Sequence, residues 1–158
     1  MAKRITFAAR AWSGAPAPVI YALLADGSTW PAWSPIGSFE LAREGESGGE
    51  TTGAVRVFKT GTVRTREELV ELRPDEQLSY TAFAGLPLRD HRADVVLSAR
   101  DGGTAIEWRE SFEPKYPGTG WLLHRFLARF VQRCADGLAR RAEQDANRAG
   151  AEHDDQMT

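Results

Sequence analysis

"HRADVVLSARDGGTAIEWRESF", residues 91–112, reads as two strands folded back on each other around Asp101-Gly102-Gly103. The Asp-Gly-Gly run has the chemistry of a tight hairpin turn. With the turn placed there, Leu97 falls opposite Ile106, Val95 opposite Trp108, Ala93 opposite Glu110 and His91 opposite Phe112. Arg92, Asp94, Ser98, Glu107, Arg109 and Ser111 occupy the other face, so the first face is the one that another layer must cover.

Turn chemistry recurs upstream, in "EGESGGETTG" (44–53), "TG" (60–61), "RPDE" (73–76) and "GLPL" (85–88). These separators divide residues 38–112 into strands at about 38–44, 53–59, 62–72, 77–84, 91–100 and 104–112. Connections this short require antiparallel neighbours. Counting back through "GLPL" puts Ala82 near His91, Tyr80 near Ala93 and Leu78 near Val95. Across "RPDE", Leu72, Val70, Glu68 and Arg66 are expected on the same inner side.

The flanks supply the remaining layer. "RITFAARAW" (4–12) alternates as a strand with one apolar face. In "SGAPAPVIYALLADGSTW" (13–30), Ser13 or Gly14 can open a short helix that ends at Gly27. "WPAWSP" (30–35), broken by two prolines, has room for a single helical turn. Residues 119–145 repeat Leu123, Leu127, Phe130, Val131, Cys134 and Leu138 at helical spacing, with arginines mostly on the other directions. Residues 148–158 have little to bury and are expected to form a frayed or disordered tail after a domain spanning 1–147.

Composition narrows the function. A chain of 158 residues with 42% hydrophobic and 27% charged residues is one ordinary globular domain. A formal net charge of -2 gives no general attraction to nucleic acid or to anionic membranes. No stretch is apolar enough to span a bilayer and no leader-like apolar run follows Met1, so a cytoplasmic protein without integral membrane association is expected. The single Cys134 excludes an internal disulfide, and the spacing of His91, His124 and His153 suggests no metal site. There is no phosphate loop or dinucleotide fingerprint, "ESGGE" (46–50) reads as a turn, and no cofactor is expected.

Together with the order of elements, "WPAWSPI", "ELVELRPDEQLSY", "GLPLRDHRADVVL", "GGTAIEWRESFEP" and "PGTGWLL" resemble the polyketide cyclase/dehydrase branch of the START-like (Bet v 1-like, SRPBCC) superfamily. The resemblance covers about residues 3–145. It implies an α+β helix-grip fold: a curved antiparallel sheet of about seven strands wrapped around a long C-terminal helix, with two short helices after the first strand and a hydrophobic cavity between sheet and helix. Its members bind lipids, sterols or polyketides, act as aromatase/cyclases, or have no identified activity. It also implies that Trp30 and Trp33 close one end of the cavity, as a plug or in contact with ligand.

The polar residues expected on the inner face, Arg66, Glu68, Tyr80, His91 and Glu110, are the candidates for chemistry. A charge in a dry core costs several kcal/mol unless paired, so these residues should border a polar cavity, pair with one another or sit at its rim. His91 and Glu110 lie diagonally across adjacent strands, as a general acid/base pair or as a structural ion pair. Arg66 and Glu68 read as a clamp for a ligand carboxylate or carbonyl, or as a cross-strand charge pair. Tyr80 offers a hydroxyl, while Trp108, Phe112, Leu123, Leu127 and Val131 are core, cavity wall or both. Small residues at 82, 84 and 93 leave space there. The reading that follows is a monomer or homodimer binding a hydrophobic small molecule of lipid, polyketide or aromatic polycyclic type. The alternatives are a polyketide aromatase/cyclase or dehydratase using His91, Glu110, Tyr80 and Arg66, and a regulatory or interaction module without catalysis.

Overall fold

The computed structural model describes residues 3–157. Residues 1, 2 and 158, which belong to the expected domain and tail, lie outside the described residues. Strand β1 (Ile5–Ser13) is followed by helix α1 (Ala17–Ala25), a 3₁₀ turn (Gly27–Thr29) and the single-turn helix α2 (Trp30–Trp33). The meander then runs β2 (Ser38–Arg43), β3 (Val55–Thr60), β4 (Val63–Arg73), β5 (Gln77–Ala84), β6 (Leu88–Arg100) and β7 (Gly103–Pro114), and helix α3 (Gly120–Gln156) completes the chain. Among the described residues the seven strands form one antiparallel sheet in the order β1-β7-β6-β5-β4-β3-β2. β1 thus returns beside the last strand, and the curved sheet grips α3 as the resemblance implies.

The β6–β7 hairpin has the expected register as far as Ala93: Leu97 pairs with Ile106, Val95 with Trp108 and Ala93 with Glu110, while an irregularity between Arg89 and Arg92 replaces the expected pairing of His91 with Phe112. Asp101 and Gly102 carry positive φ angles of 49° and 77°, which is why Asp-Gly stands in this turn. Across β5, Tyr80 pairs with Ala93 and Leu78 with Val95. Arg92 and Arg109 point outward and take part in an exposed lattice of charge pairs with Glu71, Asp94 and Glu107, each worth about 0–1 kcal/mol.

Strand β4 departs from the expected register. Leu72 pairs with Leu78, but Glu71 pairs with Ser79 and Leu69 with Tyr80, so Val70 is an extra residue, a β-bulge. Beyond it the parity of β4 reverses. Leu69 is buried and Glu67 faces inward, while Arg66 and Glu68 turn to the outer side. The inward placement expected for Arg66 and Glu68 is therefore corrected: Arg66 is exposed, and Glu68 meets Arg43 at 2.6 Å on the surface.

Two helix ends also differ from expectation. α1 begins at Ala17 behind Pro16, because Ser13 is the last residue of β1 and spends its hydroxyl elsewhere. Ser13 Oγ donates to the Ala139 carbonyl of α3 at 2.8 Å and accepts from the Ala15 amide at 3.3 Å, tying β1 to the helix. α3 continues through Gln156, into the expected tail, although residues 147–157 are exposed.

The buried stripe of α3 includes Leu127, Val131, Cys134, Ala135, Leu138 and Ala142. Gly137 lies under α2: a Cβ there would sit 1.7 Å from the Trp33 carbonyl oxygen. Inside a helix, Gly→Ala ordinarily gains up to about 1 kcal/mol. Here the obstacle is backbone, so Gly137→Ala should instead cost about 2 kcal/mol in denaturant unfolding. A neutral or stabilising result would show that α3 does not pack on α2 this closely.

Candidate functional site

A cavity of about 380 Å³ lies between the sheet and α3, within the size range of small-molecule sites. Its inner end is aromatic. Trp30 is 2% exposed, stacks on Phe58 at 4.9 Å and meets the edge of Trp108 at 5.6 Å. The indole N–H of Trp30 donates to the Leu24 carbonyl at 3.1 Å. Arg56, fully buried behind it, lies 5.7 Å from its ring. Arg56 donates to the last carbonyls of α1, Leu24 and Ala25, and pairs with Glu50 at 2.8 Å, so its charge is committed to the scaffold.

α3 supplies the facing wall through Phe126, Leu127, Phe130, Val131 and Cys134. The β3–β4 turn (residues 60–63) and Leu86 complete it. Gly61, Thr62, Val63 and Phe126 are exposed, so the mouth opens at this end.

Four adjacent strands each contribute one titratable side chain to the cavity: Glu67 from β4, Tyr80 from β5, His91 from β6 and Glu110 from β7. A second bulge aims His91. Arg89 pairs with Glu113 and Arg92 with Ser111, leaving two residues of β6 opposite one of β7, and Asp90 takes a positive φ of 48°. His91 Nδ1 accepts from the Ala82 amide at 2.8 Å, and the opposite ring nitrogen lies 2.5 Å from Glu110 Oε1. An amide N–H can only donate, so the ring hydrogen resides on Nε2 and is given to Glu110. Both nitrogens of His91 are thereby used within the protein, and its ring holds one oxygen of the Glu110 carboxyl in place.

Glu110 and Glu67 retain unused hydrogen-bonding capacity. The side chain of Glu110 is 4% exposed, yet its Oε2 has no hydrogen-bond partner. Glu67 is half-buried and borders the cavity, and its carboxyl makes no hydrogen bond among the described residues. Burial, reinforced by the Glu110 carboxylate, pushes its pKa up to about 7; Arg56 opposes the rise only in part. Tyr80 accepts from the Trp108 indole N–H at 3.2 Å, leaving its own hydroxyl hydrogen for the cavity. Burial raises its pKa, as it does that of the Cys134 thiol, so both stay protonated.

Of the residues singled out in the sequence, Trp30, Tyr80, His91, Trp108, Glu110, Leu127 and Val131 meet at this cavity. Five do not. Trp33 is 6% exposed and packs behind Trp30, its indole N–H donating to Thr29 Oγ1. Phe112 is fully buried away from the wall. Leu123 is half-buried ahead of Phe126, where the wall on α3 begins. Arg66 and Glu68 face outward because of the β4 bulge. Sequence reasoning missed Glu67 for the same reason. The available signal was the adjacent apolar pair Leu69–Val70, which cannot both face inward in a regular strand.

The model of the family described as "Polyketide cyclase / dehydrase and lipid transport" matches residues 4–143. The chain belongs to this family. Solved structures share the fold. A START superfamily protein from Mycobacterium smegmatis is 15% identical, with TM-score 0.75 over 88% of this chain and 97% of that one. Ara h 8.0201 is 19% identical, with TM-score 0.70 over 89% and 98%. XoxI from Bacillus cereus is 16% identical, with TM-score 0.68 over 89% and 94%. No curated protein matches the chain. Family and fold are consistent with binding of hydrophobic ligands or with cyclase/dehydrase-type activity. No helix among the described residues is long and apolar enough to cross a membrane.

Proposed function

We propose that the protein holds a hydrophobic, partly aromatic small molecule in the cavity between sheet and α3. The observation that carries this reading is the cavity itself: about 380 Å³, floored by Trp30 and Trp108 and open beside Phe126. Native mass spectrometry of freshly purified protein should find a co-purifying small molecule, and the neutral probe N-phenyl-1-naphthylamine should brighten on entering the site. Val131→Trp, which fills the wall, should abolish both while leaving the far-ultraviolet circular dichroism unchanged. No bound mass and no response from the probe in the parent protein would end the reading.

An acid–base role has one observation in its favour. Glu67, held near pH 7, can both give and take a proton under neutral conditions, beside the Tyr80 hydroxyl and Glu110. Loss of water from a β-hydroxyketone probe, abolished by Glu67→Gln, would select the dehydratase form of the reading. Binding without turnover would leave the protein a carrier.

A further inference from the structure

We propose that the ligand presents a protonated amine to Glu67 and Glu110, on an apolar body seated against Trp30 and Trp108. This rests on the cavity being the binding site, and names the chemical class that the site takes. Among the described residues no lysine or arginine lines the cavity. The nearest buried cation, Arg56, is spent on Glu50 and the end of α1. His91 has both ring nitrogens engaged, while Tyr80 and Cys134 are neutral donors. The site therefore holds two carboxyl groups and no counter-ion.

Glu110 Oε2 is the more telling of the two acceptors. It is buried, it belongs to a residue of the cavity wall, and nothing in the protein donates to it. A buried acceptor left without a donor is costly, and the cost is recovered when a ligand supplies one. A cationic nitrogen supplies a charge-assisted donor, and the faces of Trp30, Trp108 and Tyr80 favour it further. A ligand carboxylate or phosphate would meet like charge with nothing to offset it.

Three probes on one body separate the possibilities: 1-naphthylmethylamine, 1-naphthalenemethanol and 1-naphthoate, titrated calorimetrically into the full chain at pH 8. The amine should bind at least about tenfold more tightly than the alcohol, with naphthoate weakest. Replacing both carboxyls, Glu67→Gln with Glu110→Gln, should bring the amine down to the alcohol's affinity.

A second measurement needs no variant. Glu67 faces His91 on β6, Glu110 on β7, Arg56 on β3, Tyr80 on β5 and Cys134 on α3. A bound cation favours its ionised form, so amine affinity should rise roughly tenfold from pH 6 to pH 8, while the alcohol's does not. Binding of the alcohol with equal or tighter naphthoate, or a flat pH profile for the amine, overturns this inference and leaves cavity binding standing. If none of the three binds, cavity binding and the inference fall together.

Discussion

Replacing Trp30 with alanine should lower the unfolding free energy by about 4 kcal/mol, in the middle of the range for a buried aromatic side chain. Trp30 is the hub of the inner cluster, touching Trp33 at 4.8 Å, Phe58 at 4.9 Å and Trp108 at 5.6 Å. Truncation opens a void that the rigid strands around it can fill only in part. It also frees one acceptor contact at Leu24 and removes the ring that covers Arg56. Since domains of this size are stable by about 5–15 kcal/mol, the variant should be folded but fragile. Trp12 is the control: it is 48% exposed and hydrogen-bonded to the Arg100 carbonyl, so Trp12→Ala should cost about 1 kcal/mol or less. Guanidinium unfolding of both variants tests the difference. A loss below about 1 kcal/mol for Trp30→Ala would remove the tryptophan plug from this account of the fold.

Glu67→Gln should stabilise the protein, by an amount that grows as the pH rises from about 4.5 to about 7. The folded-state pKa of Glu67, about 7, lies above its ordinary value of 4.5. Between the two the native state binds the extra proton, so stability falls as pH rises from about 4.5 through 7 and levels off above. The displacement corresponds to at most about 3 kcal/mol at pH 8, less to the extent that solvent in the cavity screens the carboxylate. Glutamine resembles the protonated acid and carries no such penalty. The variant should therefore match the parent below about pH 4 and exceed it at pH 8. Parallel stability–pH curves for the two proteins would show that Glu67 is not the group held out of its ordinary range. Carrying such a carboxyl in the cavity wall is a standing cost to stability, of the kind that functional sites sustain.

Much of the fold is legible because its signals are local. Asp101 and Gly102 accept positive φ angles that few other residues tolerate, so they place the last hairpin and with it the pairs Leu97–Ile106, Val95–Trp108 and Ala93–Glu110. The two prolines of "WPAWSP" limit α2 to one turn for equally local reasons. The spacing of Leu127, Val131, Cys134 and Leu138 marks the buried face of α3 without reference to any partner. The inward direction of Tyr80, His91, Trp108 and Glu110 follows from these same turns.

The floor of the site was decided elsewhere. Both parities of β4 carry charge and both carry an apolar residue, so residues 66–70 are compatible with either face. Packing chose between them: Leu69 enters the core beside Tyr80, Val70 is left over as the bulge, and Glu67 comes inward in place of Glu68. A strand's side-chain period is two, so one extra residue reverses every position beyond it. The roles within the polar group are tertiary in the same sense. Only the approach of the Ala82 amide to His91 commits its second nitrogen. The residue types that could form the site are thus present in the sequence, but which carboxyl of β4 faces the cavity is settled by the bulge at Val70, because a bulge answers to packing across the sheet rather than to the residues on either side of it.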